Sequence, residues 1–261
     1  MAWLQRELGV LSKPQPGGDP FAARRGEPRT FIAIWAAYLF GATLVSIGSA
    51  GAAGLLSVEV YRPAARVMLE AAAFGILFVW PLIRLSQAAP ERPLRAFMID
   101  SLIVALPVQI FAGVQALPWM AAWPRDVVGV MGGVLGAWSL LVGGVLATYF
   151  IVGASRSLPR WVMMALLVAL GVVGPALSVL DVRVLDRAEA DACDAWMMTS
   201  PLSAVFEVTR DRPWTGATAA VGDGHRLALG VTLGAAGCVW ILAAGFGLAR
   251  GRGRAGESSL D

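Results

Sequence analysis

The sequence predicts an all-α polytopic membrane protein, a bundle of six transmembrane helices with both termini cytoplasmic. Three observations lead there: 57% of residues are hydrophobic, only 15% are charged, and long stretches carry no charge at all. Water-soluble domains usually carry about a quarter charged residues, so a mean hydropathy of +0.67 points to lipid as the solvent. Disorder, a collagen-like repeat and a disulfide scaffold are excluded, because apolar residues are abundant, no Gly-X-Y period occurs and there are two cysteines.

Residues 1–29 form a cytoplasmic leader to the first span. Trp3, Leu4, Leu8 and Leu11 recur at helical spacing, which suggests a short amphipathic helix on the membrane surface, with a frayed polar terminus as the alternative. The Pro- and Gly-rich run 13–27 is a flexible linker. The first apolar stretch begins only after these mixed residues and exceeds a signal h-region, so it is expected to be an uncleaved anchor.

Crossing a hydrocarbon core of about 30 Å takes about 20 apolar residues. Four stretches of that length contain no Asp, Glu, Lys, Arg or His, namely 30–58, 127–155, 161–180 and 227–249, and they give spans of about 30–57, 127–153, 160–180 and 227–249. Two weaker stretches, 66–84 and 96–117, hold Glu70 and Asp100 respectively, and charge asymmetry requires both as spans. Lys and Arg collect in short cytoplasmic flanks. Six crossings with the N-terminus inside place Arg6, Lys13, Arg24, Arg25, Arg29, Arg84, Arg92, Arg95, Arg156, Arg160, Arg250, Arg252 and Arg254 on that side. The short opposite loops then keep only Arg62, Arg66 and Arg125. Dropping either weak span would reverse this bias. Residues 30–249 are thus the transmembrane domain, 181–226 its long outer loop and 250–261 a cytoplasmic tail. The basic flanks suit anionic lipid rather than nucleic acid. Twenty arginines to one lysine point to a GC-rich bacterial genome and a cell inner membrane.

Within lipid, small residues let helix backbones approach closely. Gly129, Gly133 and Gly136 on the fourth span and Gly230, Gly234 and Gly237 on the sixth are the packing candidates, chiefly inside the bundle, with a dimer interface as the alternative. Pro81, Pro107 and Pro175 should kink or end their helices. Glu70 and Asp100 are the carboxylates at membrane depth, where desolvation is costly. They sit near opposite faces, so they are not a couple. Glu70 is expected to pair with Arg66 along its helix, and Asp100 with Arg95 or Arg84. Gln109, Gln115, Thr148 and Thr232 are expected to hydrogen-bond between helices, or else to line a pathway.

The loop before the last span carries an interfacial or re-entrant element from Trp196 to Trp214, with a plain surface loop as the alternative. Ser200 and Pro201 are a helix start, hydroxyl at the N-cap and proline at the first helical position. Leu202, Val205 and Phe206 then fall on one apolar face. No enzyme is expected and no cofactor or metal site: there is one histidine, His225, and no Gly-rich phosphate loop beside the single Lys13. Cys193 and Cys238 lie at different depths and are not expected to bridge.

The order of these elements resembles an ABC-2-type transporter permease. The matching residues are Arg6-Glu7-Leu8 in the opening helix and Ser200-Pro201-Leu202-Ser203-Ala204 before the last span. The loop 87–95, Gln-Ala-Ala-Pro-Glu-Arg-Pro-Leu-Arg, departs from the acidic run by which many such permeases meet their ATPase. The resemblance implies export of a substrate, a separate ATPase subunit and a homo- or heterodimer of permeases. A non-transporting membrane scaffold or assembly protein is the alternative.

Overall fold

The computed structural model describes residues 28–51, 58–87, 89–156, 159–180, 195–211 and 219–257. The expected surface helix at 3–12, the end of the first span at 52–57, Cys193, Trp214 and the last four residues lie outside them.

Helix follows helix because each long apolar run leaves its backbone polar groups no partners but one another. Six helices are long and apolar enough to cross a membrane, which makes the chain a multi-pass membrane protein. The first span is α1 (Pro28–Gly51). The second is α2 (Val58–Phe74), a π-helical turn (Gly75–Val79) and α3 (Trp80–Ser86) run together. The third is α4 (Pro93–Val114), the fourth α5 (Arg125–Arg156), the fifth α6 (Arg160–Leu180) and the sixth α8 (Asp223–Glu257). Between the last two lies the short α7 (Pro201–Thr209), preceded by a 3₁₀ turn at Met197–Thr199. Most helix ends fall within a few residues of the sequence reading; the second span begins earlier, at Val58, and the last helix runs on to Glu257, into the expected tail.

The prolines act differently from one another. Helix continues through Pro107 and Pro175. Pro81 has no N–H to offer Leu77, and the turn before it is widened: Trp80 N–H bonds the carbonyl of Gly75, five residues back. Gly75 is where α1 crosses the second span, under the rings of Trp35 and Tyr38, which stack at 5.6 Å. The Tyr38 hydroxyl donates to the carbonyl of Ala71 at 2.6 Å, one turn before the π turn. Removing that hydroxyl in Tyr38→Phe is expected to cost about 0.5–1.5 kcal/mol in thermal unfolding.

α5 is the central strut. Within its apolar window 72% of residues are buried, against 11% for α8. Glycines serve two of its faces. Gly132 and Gly136 admit the Gln109 side chain from α4, and Gly143 lies against Ser101 and Trp80. Gly133 meets Leu229 of α8, and Gly144 meets Val239 and Trp240. The Trp240 indole closes that second seam by donating to the Leu140 carbonyl at 2.9 Å. The glycine stripe expected to pack α8 into the bundle does not do so: a Cβ at Gly230, Gly234 or Gly237 meets nothing within 4 Å, and the same holds at Gly129. α8 docks through its other face and turns this one outward.

The loop from α4 to α5 is tied down by Trp123 N–H bonding the Gln115 carbonyl. It contains Ala122 at φ 50°, a conformation that strains a side chain with a Cβ. Ala122→Gly should therefore raise stability by about 1 kcal/mol, read as a rise in midpoint temperature.

Candidate functional site

Two clusters of charge lie at opposite ends of the second span. At one end, Arg84 of α3 reaches across to Asp100 of α4, Nε to Oδ2 at 2.6 Å and Nη2 to Oδ1 at 2.5 Å. Its third nitrogen bonds Gln87 Oε1 at 2.7 Å, and its guanidinium lies 4.8 Å above the Phe31 ring of α1. Both partners are buried, with side-chain exposures of 10% and 2%. This forked geometry satisfies both carboxylate oxygens, which an acid taken from water requires. Of the two partners expected for Asp100, Arg84 is the one in place. The pair fastens three spans together.

At the other end, α7 is set among the spans. The Ser200 hydroxyl donates to the Gly171 carbonyl of α6 at 2.7 Å. Gly171 lies well inside α6, which continues to Leu180, so α7 enters about 13 Å below that helix end. Gly174, one turn on, permits it: a Cβ there would stand 2.7 Å from the Trp196 carbonyl oxygen. The element is a buried helix seated against the spans, which a surface loop with one incidental helical turn is not. Two details of the sequence reading are corrected. Ser200 has the extended backbone of an N-cap, but its hydroxyl makes no cap hydrogen bond, being engaged with Gly171. Phe206 is 46% exposed and Leu202 partly so, while Val205 is buried with Ala204 and Val208. The seated face is thus shifted from the expected one, because Pro201, Ser203 and Thr209 also face protein. Trp196 is exposed.

The seat is charged. Arg62 and Arg66 of α2 grip Asp211, just past α7, at 3.0 and 2.7 Å. Arg62 also donates to the Ala121 carbonyl, and Arg66 to the hydroxyl and carbonyl of Thr209. Arg66 is therefore directed to α7 rather than to Glu70, which corrects the expected pairing along the helix. Glu70 is half-buried one turn further along. Beneath α7, Glu207 is 2% exposed, with Arg210 at 3.2 Å and the fully buried His225 of α8 at 3.9 Å.

The remaining polar candidates are structural. Gln109 donates to the Gly132 carbonyl of α5 at 2.8 Å, the interhelical bond expected. Gln115 is fully buried and donates to Phe111 within its own helix. Thr148 and Thr232 likewise bond back to Gly144 and Ala228, not across to other helices. Cys238 is free and exposed. Among the described residues, no group of three or more His, Cys, Asp or Glu is placed to hold a metal ion.

Sequence reasoning missed the Arg62, Arg66 and Asp211 cluster and the Glu207 and His225 contact. One signal was present: Glu207 is an acid inside an otherwise uncharged nine-residue helix, and a carboxylate kept in such a place needs cations nearby. The chain matches no protein family, no curated protein and no solved structure.

Proposed function

We propose that this chain is the permease subunit of an ABC-type exporter, working with a separate ATPase chain and a second permease in the cell inner membrane. The observation that supports this most is the placement of 197–209. It is a short element between spans five and six, sunk about 13 Å below the end of α6 and fastened to the second, fifth and sixth spans. A re-entrant element of that kind in that position belongs to the permease layout the sequence resembles. In this reading the α7 end faces outward, and the Arg84 end, with loop 87–95, faces the ATPase. The chain itself performs no hydrolysis.

Gentle extraction from the native membrane should bring down a P-loop ATPase. Cysteines placed at Gln87 and Arg95 should crosslink to it. Crosslinks from both sites that never capture a nucleotide-binding chain would overturn the reading.

A membrane scaffold is the second reading, favoured by the way Asp100, Gln109, Thr148 and Thr232 are all engaged in packing. It is separated from the first by Gly234→Leu. That side chain points into open space, so the monomer should fold as before. Loss of assembly in this variant, with no ATPase captured by the native chain, would favour the scaffold.

A further inference from the structure

His225 is the chain's one histidine, and its position in α8 is specific. Helix α8 begins at Asp223, so Gly222 is its N-cap and His225 its third residue. The Gly222 carbonyl accepts from the His225 backbone N–H at 3.2 Å. In return, the imidazole Nδ1 accepts from the Gly222 N–H at 3.1 Å. This is the reach-back half of a capping box, with imidazole in the place usually taken by Glu or Gln and a glycine at the N-cap. An Nδ1 that accepts a hydrogen bond carries no proton, so the ring is neutral with its proton on Nε2, the nitrogen facing Glu207.

We propose that His225 is a proton-sensitive cap: neutral, it holds the loop 219–222 on the bundle, and protonated, it releases it. A second proton has one place to go, Nδ1, which is the atom now accepting from Gly222. Two N–H groups cannot share that contact, so protonation breaks the cap. It also puts a cation in the first turn of a helix, where the macrodipole opposes it. The loop carries Ala219 and Val221 into the core, so its release loosens the connection between α7 and the sixth span.

Glu207 faces the ring at 3.9 Å, where a carboxylate favours imidazolium, but it is already neutralised by Arg210 at 3.2 Å. From α8 itself, Asp223 and Arg226 pair with each other on the surface at 3.5 Å. Arg125 and Asp126, in the first turn of α5, are exposed, and Arg62 and Arg66 of α2 are held by Asp211. Histidine alone among side chains ordinarily changes charge between about pH 5 and pH 8.

The test is backbone hydrogen exchange of the full chain in lipid nanodiscs at about pH 5 and about pH 8, corrected for the intrinsic pH dependence of exchange. Protection of residues 219–226 should fall about tenfold or more in acid. His225→Gln keeps an acceptor that does not titrate, so its protection should be high and equal at both values. Glu207→Gln should retain the acid-induced loss. Unchanged or increased protection of the native chain in acid, or an equal loss in His225→Gln, would overturn the proposal. The nitrogen chemical shifts of the lone ring give a check needing no variant: at neutral pH, Nδ1 should be the unprotonated nitrogen, and the opposite tautomer would also overturn it.

Discussion

Asp100→Asn is expected to destabilise the bundle by about 3–5 kcal/mol, the cost of leaving a buried arginine without its counter-charge. Arg84 cannot easily escape. Its side chain is 10% exposed, its guanidinium lies over Phe31, and Trp80, one turn earlier on the same helix, is fully buried. Asparagine retains the shape and one acceptor oxygen, so the loss isolates the charge. The double replacement Arg84→Met with Asp100→Leu should recover most of the stability, because removing both ions abolishes both desolvation penalties. Thermal or steric-trap unfolding in detergent measures both. A single Asp100→Asn as stable as the native chain would mean that Arg84 finds water or lipid phosphate within reach.

Gly75→Val should separate α1 from the second span. A Cβ at Gly75 would lie 2.5 Å from a Tyr38 ring carbon and 2.8 Å from two carbons of Trp35. These are rigid rings rather than flexible chain ends. Trp35 is 1% exposed, and the hydroxyl of Tyr38 is fixed on Ala71, so neither can withdraw. Overpacking of this kind costs about 1–3 kcal/mol. Gly75→Ala should reach that range and Gly75→Val exceed it, since its two further methyl carbons need the same space. Gly237→Ala is the matched control: its Cβ meets nothing, and it should unfold at the native temperature. Equal effects at the two positions would show that glycine acts here through backbone flexibility rather than through contact.

The spans were legible because crossing lipid is a demand on length and polarity, both of which a sequence displays directly. Their burial was not. α8 is as apolar as α5, yet one is peripheral and the other central, because lipid and protein interior select similar residues. For that reason Gly133 and Gly136 of the fourth span became packing contacts, while Gly129 of that span and Gly230, Gly234 and Gly237 of the sixth did not. Asp100 was readable because Arg84 follows from the positions of two helix ends joined by a short loop. Arg66 was misread because its nearest acid in sequence, Glu70, competes with Asp211, which lies 145 residues away and is brought close only by the fold. The Ser200 hydroxyl was misread similarly. A local cap was available, but the Gly171 carbonyl was brought within reach by a neighbouring helix.

The π turn at Gly75–Val79 has a bearing on how the second span keeps its phase. A regular helix advances each residue by about 100°, so one additional residue in a turn puts everything beyond it about 100° out of step with a helical wheel drawn from the start. Arg62 and Arg66 set one bearing around the axis, and Arg84 sets another, with the widened turn as the adjustment between them. Deleting one residue inside 75–79 would let that turn revert to ordinary helix while both bearings stay aimed. The same deletion two turns earlier would swing Arg84 away from Asp100. The wide turn thus lets the two ends of one helix be aimed independently.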